Sequence, residues 1–151
     1  MYEGDIINGN REGNGKLIYE NGNYYIGQFK DNLRNGVGKQ FDKNGNTIYE
    51  GDFINEKFEG NGKYFFEDGN YYIGQFKDGL TNGKGIEYYK KGNIMFDGNF
   101  INGKNEGDGK YFFKDGNYYI GKFKDDQQNG KGILYNKNGK IMYEGTLFCG
   151  F

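Results

Sequence analysis

The stretch YYIGQF, residues 24–29, returns unchanged at residues 71–76 and as YYIGKF at residues 118–123. These three copies lie 47 residues apart. A second phrase starts at Tyr2, Tyr49, Phe96 and Tyr143, again at intervals of 47 residues, and alternates with the first. The resulting internal period of 23 or 24 residues is typical of a repeat array, in which each unit packs on its neighbours.

One continuous array is predicted over residues 1–151. The repeats occupy residues 2–24, 25–48, 49–71, 72–95, 96–118 and 119–142, and residues 143–151 form a partial seventh. The chain starts directly in a repeat and stops within another, so a complete protein and a fragment of a longer one both remain open.

Composition limits both the core and the chemistry. Only 34% of the residues are hydrophobic, yet 15 are Tyr and 14 are Phe, and such rings bury a large area per side chain. The chain has no His and one Cys, Cys149, which excludes sites that need imidazole or several thiolates. We therefore expect no metal and no cofactor. The net charge of −1 offers no basic surface for nucleic acid, and no apolar run is long enough to span a membrane.

Each repeat reads as two short strands joined by a tight turn. In residues 24–30, Tyr25 and Phe29 alternate with Ile26 and Gln28, so the two sets point to opposite faces of a strand. Asn-Gly and Asp-Gly pairs, such as residues 78–79 and 102–103, supply the positive φ angles of hairpin turns. The chain also lacks Pro, which suits strands that all donate to a ladder. Each repeat is therefore predicted to be one β-hairpin of a continuous meander.

Glycines inside the predicted strands indicate close packing of rings on backbone. Gly27 lies between Tyr25 and Phe29, and the pair Gly36 and Gly38 lies on the next strand. Glycine weakens a strand unless something fills the space that it leaves. We infer that the rings of one strand lie over the glycines of the next. The alternative, a phosphate-binding loop, requires a turn from strand to helix, and no amphipathic helix is visible in the sequence.

The pattern Tyr-x-Gly-x-Phe, a turn, Gly-x-Gly and an aromatic strand ending in Asp-Gly or Asn-Gly resembles the membrane occupation and recognition nexus (MORN) repeat. Examples are YEGDFINEKFEGNGKYFFEDGNY from Tyr49 and YIGQFKDGLTNGKGIEYYKKGNI from Tyr72. The resemblance implies an all-β fold, an elongated single-layer antiparallel meander of stacked hairpins that is curved and twisted and has little or no helix. The departures from the pattern are Ile6 and Leu147 at the end of the first strand, Asn32, Glu56 and Asp126 in place of the turn Gly, and Phe96 in place of the leading Tyr.

The face opposite the rings carries charges of both signs. Its acids include Glu3, Asp5, Glu50 and Asp52, and its lysines are Lys16, Lys39, Lys63 and Lys110. These lysines could form a row for phosphoinositide headgroups or belong to cross-strand charge pairs on a solvated face. The interleaved acids favour charge pairs, because a lipid site calls for clustered positive charge.

No catalytic site is predicted, so we expect the chain not to be an enzyme. Glu87 stands where other repeats place Tyr64 and Tyr111, and burial against the rings would raise its pKa. We expect this carboxylate at the margin of the ring face, in contact with water. It has no nucleophile with a paired base nearby in the sequence, and a general acid alone does not make a site.

The ring face is predicted to bind another protein. A thin sheet exposes much aromatic surface, large apolar patches mark interaction sites, and aromatic residues anchor protein interfaces. The sequence does not separate core rings from contact rings. The predicted groove consists of Tyr25, Phe29, Tyr49, Phe53, Tyr72, Phe76, Phe96, Phe100, Tyr119, Phe123, Tyr64 and Tyr111.

The open strand at the C-terminal end is a second predicted contact. Leu147, Phe148, Cys149 and Phe151 follow the last turn, and unpaired strand edges seek partners. We expect a homodimer through this edge, or docking to a partner or to downstream sequence.

Three functions fit these features. The first is a non-catalytic scaffold for protein–protein interaction in a cytoskeletal, ciliary or membrane-associated assembly, as the resemblance implies. The second is a peripheral phospholipid-binding module, and the third is the regulatory arm of a larger enzyme. The expected location is the cytoplasm, in association with the cytoskeleton or a membrane.

Overall fold

The chain folds into antiparallel β-strands joined in sequence order, as a computed structural model shows for residues 1–148. In this part of the chain the structure has no helix, and thirteen strands form one open sheet, a meander of hairpins. The predicted all-β fold is thus confirmed. The strands are β1 (Tyr2–Ile7), β2 (Asn10–Ile18), β3 (Tyr24–Lys30), β4 (Leu33–Phe41), β5 (Thr47–Ile54), β6 (Lys57–Phe65), β7 (Tyr71–Lys77), β8 (Leu80–Tyr88), β9 (Ile94–Ile101), β10 (Lys104–Phe112), β11 (Tyr118–Lys124), β12 (Gln127–Tyr135) and β13 (Ile141–Leu147).

Two compact units make up the chain. Unit 1 contains Met1–Glu67 and Gln75–Leu80, and unit 2 contains Asp68–Gly74 and the residues from Thr81 onward. Each unit holds the same kind of hairpins, and each is described below by itself.

The turns within the hairpins have two successive residues at positive φ, as two-residue hairpin turns require. Asn102 has φ of 50° and Gly103 of 83°. Where the sequence departs from Gly, the backbone keeps the same geometry, with Asn32 at 70° and Glu56 at 75°. The departures from the repeat pattern therefore change the side chain and not the turn.

A side-chain contact accompanies each of these non-glycine turn residues. The Oδ1 atom of Asn32 accepts a hydrogen bond from the backbone nitrogen of Arg11 on the preceding hairpin, at 2.8 Å. Glu56 accepts in the same way from the backbone nitrogen of Arg34, and Asp126 from that of Asn105. These bonds join consecutive hairpins and offset the cost of a left-handed backbone at a residue with a Cβ atom.

The strands alternate as the sequence predicts, with rings on one face. We call the face that carries Tyr25 and Phe29 the ladder face, and the opposite face, which carries Tyr24 and Ile26, the outer face. Ten rings of the ladder face form the core, and each of these ten is at most 5% exposed. These core rings are Tyr25, Phe29, Tyr49, Phe53, Tyr72, Phe76, Phe96, Phe100, Tyr119 and Phe123.

Each leading ring of a repeat lies over two glycines. A Cβ atom added to Gly27 or to Gly38, its partner on β4, would collide with the ring of Tyr25. The same arrangement recurs in unit 2, where Tyr119 covers Gly121 and Gly132. The prediction that rings lie over the glycines of the next strand is confirmed, and the glycine of the ring's own strand is covered as well.

Edge-to-face contacts link these rings into a continuous series within each unit. In unit 1, Tyr25 contacts Phe29 with centroids 5.2 Å apart and Phe53 with centroids 4.9 Å apart, at interplanar angles of 89° and 77°. In unit 2, Phe96 contacts Phe100 at 5.3 Å and Phe123 at 4.9 Å. Perpendicular rings at these distances have favourable quadrupole interactions in addition to their buried area.

The tyrosine hydroxyls donate hydrogen bonds to backbone carbonyls at positions where the strand register shifts. The hydroxyl of Tyr25 donates to the carbonyl of Gln28 at 3.0 Å, where the register of β3 and β4 shifts between Gly27 and Phe29. Burial raises the pKa of Tyr25 to about 12, so the hydroxyl stays protonated and remains a donor at neutral pH. The ring thus fills the space over the glycines and also completes the hydrogen bonding of the bulge.

Adding a methyl group under a locked ring should destabilise the sheet. Gly132→Ala places a Cβ atom against Tyr119, which is 1% exposed, whereas Gly145→Ala places one against Tyr143, which is 44% exposed and can move away. We expect Gly132→Ala to lower the free energy of unfolding by about 1–3 kcal/mol and Gly145→Ala by less than about 1 kcal/mol. Urea unfolding followed by circular dichroism measures both, and equal losses would contradict the ring-over-glycine account.

Candidate binding site on the ladder face

The twelve residues of the predicted groove all belong to strands of the sheet, but their exposure differs sharply. Ten of them are the buried core rings. Tyr64 on β6 and Tyr111 on β10 are half-buried. Burial leaves the ten core rings little surface to offer a ligand, because they fill the space over the glycines. Binding by the groove stays a prediction, and the rings able to contact a partner without repacking are the half-buried ones.

Two pairs of incompletely buried rings border the core on the ladder face. In unit 1, Tyr64 contacts Phe66 with centroids 5.1 Å apart, and Phe66 is 38% exposed. In unit 2, Tyr111 contacts Phe113 at 5.0 Å. We call these four residues the border rings. Phe66 and Phe113 are absent from the predicted groove, although they follow Tyr64 and Tyr111 by two residues and so alternate to the same face.

Two arginines stack on core rings of unit 1. This stacking was not predicted from the sequence. The guanidinium carbon of Arg11 lies 5.4 Å from the ring centre of Phe29, and that of Arg34 lies 5.0 Å from that of Phe53. Arg34 also forms an ion pair with Glu56 at 2.8 Å. Cations stacked on rings shield the rings from water while keeping their own charge hydrated at the edge.

The corresponding position on the other hairpins carries different residues. Phe58 stacks on Tyr49 with centroids 3.8 Å apart in unit 1, and Asn105 is 7% exposed in unit 2. The covering residues are Arg11, Arg34, Phe58, Thr81, Asn105 and Gln128, each the second residue of its strand. A position that varies so widely within a regular array could have drawn attention in the sequence, because it changes the ladder face from hairpin to hairpin.

One buried hydroxyl in unit 1 has no hydrogen-bond partner. It belongs to Tyr19, whose pKa is raised by burial and is also affected by the charges of Arg34 and Glu56. Among the residues that the structure describes, this is the buried side-chain polar atom that lacks a partner. Such an atom can accept or donate a hydrogen bond at low cost when a ligand supplies one.

Glu87 is half-buried on the ladder face of unit 2, opposite Phe96 in the register of β8 and β9. Burial, together with the negative charges of Asp126 and Asp68, raises the pKa of Glu87 to about 7. The expectation of a raised pKa is confirmed, and contact of the carboxylate with water at the margin of the ring face stays a prediction, since the side chain is half-buried.

The lysine row of the outer face is largely engaged. Lys39 forms an ion pair with Glu50 at 3.1 Å, which confirms a cross-strand charge pair. The ammonium groups of Lys16 and Lys110 lie over rings, 4.8 Å from the centre of Tyr24 and 4.5 Å from that of Tyr118. Hence these lysines support the sheet rather than form an open row of positive charge.

The loops that join consecutive hairpins of unit 2 carry a separate group of lysines. Lys90, Lys91 and Lys114 line a cavity of about 640 Å³ together with Tyr89 and Asp68. Lys137 and Lys140 lie in the next joining loop. Within the described part of the chain none of these five lysines forms an ion pair. We call them the loop lysines.

The predicted contact at the C-terminal edge is described only in part. Leu147 ends β13, and Phe148 follows it and is 80% exposed. Cys149 and Phe151 lie outside the described residues. The homodimer through this edge stays a prediction.

Residues 1–148 contain no cluster of acidic or cysteine side chains placed to hold a metal ion. They also contain no helix long and apolar enough to cross a membrane.

The raised pKa of Glu87 gives a testable dependence of stability on pH. In the folded chain the Glu87 carboxyl group keeps its proton up to about pH 7, whereas the ordinary pKa of a glutamate side chain is 4.5. Between these two pH values, ionisation of Glu87 therefore costs the folded state free energy that it does not cost the unfolded state. The free energy of unfolding should fall as the pH rises from about 4.5 to 7, by up to about 3 kcal/mol, and Glu87→Gln should remove this fall. Urea unfolding at a series of pH values measures it, and parallel curves for the two proteins would refute it.

Comparison with known protein families agrees with this geometry. A family model for the MORN repeat matches the chain six times in succession, at residues 2–24, 25–47, 49–71, 72–94, 96–118 and 119–141. A search of curated proteins gives no match. The matched residues span nearly the whole chain and confirm the resemblance seen in the sequence. The chain is therefore a member of the MORN repeat family.

Proposed function

We propose that this chain is a non-catalytic scaffold that binds an apolar segment of another protein on its ladder face. The border rings carry the proposal. They are aromatic side chains of this face that keep exposed surface beside the buried core, and aromatic anchors of this kind dominate protein interfaces. Repeats of this family are in general binding modules without catalytic activity.

The shape of the surface favours an extended or helical segment. Tyr64 and Phe66 in unit 1, and Tyr111 and Phe113 in unit 2, each form a contacting pair that one apolar side chain could cover. A segment with apolar residues on one side suits such sites.

The setting of the scaffold is also proposed. MORN repeats occur in proteins of membranes and of the cytoskeleton. We infer a cytoplasmic scaffold in a cytoskeletal, ciliary or membrane-associated assembly.

A binding selection with matched variants tests the proposal. The immobilised chain selects from a display library of amphipathic peptides, and calorimetry measures the affinity of the enriched peptides. Tyr64→Gln and Tyr111→Gln should weaken binding at least about tenfold with little change in melting temperature. Gln is compatible with this strand position, because Gln40 occupies it on β4.

The matched control is Val37→Ser, which alters a 61% exposed apolar residue on the outer face. It should leave the affinity unchanged. A selection without enriched peptides, or peptides that bind both tyrosine variants as tightly as the unaltered chain, would count against binding on the ladder face.

Phospholipid binding is the second candidate function. The surface that supports it is formed by the loop lysines and not by the lysine row of the outer face. Five lysines without ion pairs lie on three joining loops of unit 2, residues 89–93, 113–117 and 136–140, and the acid in these loops is Asp115. Clustered lysines attract acidic headgroups by about 1 kcal/mol each near a membrane surface.

Cosedimentation with liposomes tests this second candidate. Vesicles that contain acidic phospholipid should sediment the chain at low salt, and the bound fraction should fall as salt rises. Lys90→Glu combined with Lys91→Glu should reduce the bound fraction severalfold, whereas Lys43→Glu, in a joining loop of unit 1, should have a smaller effect. Equal binding to neutral vesicles would rule out this electrostatic mode.

A further inference from the structure

The outer face of unit 2 carries a row of rings that the proposed function does not use. Tyr71 stacks on Tyr88 with centroids 4.7 Å apart, and Tyr118 stacks on Tyr135 at 4.8 Å. Ile94 and Phe112 lie between the two pairs. From β7 to β12 this ring row reads Tyr71, Tyr88, Ile94 with the adjacent Met95, Phe112, Tyr118 and Tyr135, and every member is half-buried; Ile94 is opposite Tyr88 at a bulge, and the register of β9 and β10 sets Met95 level with Phe112.

A second row runs beside the ring row across the same strands. Register pairs Ile86 with Asp97, Asp97 with Lys110 and Lys110 with Ile120. From β7 to β12 this isoleucine row reads Ile73, Ile86, Asp97, Lys110, Ile120 and Ile133. Ile73 and Ile120 are 43% and 42% exposed. The two rows together make a largely apolar sheet face, and the described part of unit 2 has no second layer of strands or helices to pack on it.

The order of residues in both rows is symmetric about the line between β9 and β10. Two tyrosines flank the centre of the ring row on each side, and two isoleucines flank the centre of the isoleucine row on each side. The outer face of unit 1 lacks this symmetry. Its corresponding row reads Glu3, Lys16, Ile26, Lys39, Glu50 and Lys63 from β1 to β6, with a charge at every position except Ile26.

The charges at the centre of the isoleucine row are not paired with each other. Asp97 and Lys110 are opposite in register, yet the described part of the chain has no ion pair between them. The ammonium group of Lys110 lies instead over the rings of Phe112 and Tyr118. In unit 1, by contrast, Lys39 and Glu50 do form an ion pair. An acid and a base therefore stand side by side in the middle of an apolar face.

We infer that the outer face of unit 2 packs against the same face of a second copy of this chain. The dimer has a two-fold axis that runs parallel to the strands, midway between the two sheets and over the line between β9 and β10. This axis brings each row of one copy face to face with the same row of the other copy. It places Asp97 of each copy opposite Lys110 of the other, the tyrosines of the ring row opposite tyrosines, and isoleucines opposite isoleucines. Face-to-face sheets with nearly aligned strands are a common packing arrangement.

The rim of this surface is polar, as an interface rim is expected to be. Beyond the isoleucine row, Lys122 forms an ion pair with Asp108 at 2.8 Å, and Lys131 is exposed. Six strands at a spacing of about 4.8 Å and two rows about 7 Å apart give a contact of roughly 24 by 14 Å on each copy. This is small for a stable interface, so the dimer should be weak and concentration-dependent.

Sedimentation equilibrium of the full chain over a dilution series tests the interface. The unaltered chain should associate, and Ile86→Lys should weaken association at least about tenfold, because it buries a charge in the contact. Lys is compatible with this strand position, since Lys39 occupies it on β4. The matched control is Ile26→Lys, which changes a 46% exposed isoleucine on the outer face of unit 1 and should leave association unchanged.

A charge exchange decides the geometry. Asp97→Lys places a lysine of one copy opposite Lys110 of the other, on both sides of the axis. Lys110→Asp likewise places an acid of one copy opposite Asp97 of the other. Each change therefore brings like charges together and should weaken association at least about tenfold. The double variant D97K/K110D restores opposite charges across the axis and should recover most of the association. Circular dichroism and melting temperature show whether each variant remains folded.

Several results would overturn the inference. An unaltered chain that stays monomeric at its highest soluble concentration would do so. A double variant as weak as the single ones would also exclude this geometry. Loss of association in Phe148→Ser together with normal association of Ile86→Lys would assign the dimer to the C-terminal edge instead.

Discussion

The contact between an aromatic ring and two glycines is the interaction on which this sheet depends. A single layer has no second sheet or helix to cover its apolar side chains, so the rings must be buried against backbone. Tyr25 lies over Gly27 and Gly38, is fully buried there, and donates its hydroxyl to the carbonyl of Gln28. One side chain thus fills the space, contributes buried area and completes the hydrogen bonding of a bulge.

Burial of the leading rings decides where binding can take place. Because the core rings are buried, the side chains that a partner could contact are those next to the core on the ladder face and those on the outer face. On the ladder face these are the border rings, while the covering position changes from Arg34 to Phe58 to Asn105 along the array. On the outer face the two units differ, since Lys39 and Glu50 form a polar pair in unit 1 and Ile86 stands at the matching position in unit 2. A regular backbone therefore carries surfaces that are not repeated.

Period and alternation were sufficient to predict most of the fold. The 47-residue interval, the Asn-Gly and Asp-Gly turns and the alternation of Tyr25 with Ile26 predict hairpins with one apolar face, which the structure has. The candidate site was less predictable. The stacking of Arg11 and Arg34 on rings was missed, because it depends on which side chain of the next strand comes to lie over a given ring. Glu87 was expected to contact water at the margin of the ring face, and how far the neighbouring strands bury its side chain became clear only from the structure, which half-buries it.

The sequence by itself determined the repeat, the hairpin turns, the alternation of faces and the absence of His, because these follow from residue type and spacing along the chain. Only the tertiary structure decided which rings are core and which remain open. Tyr64 and Tyr72 look alike in the sequence, but one is half-buried and the other fully buried, because only Tyr72 lies over glycines. The symmetric face of unit 2 likewise arises from register, which sets residues of six separate strands side by side.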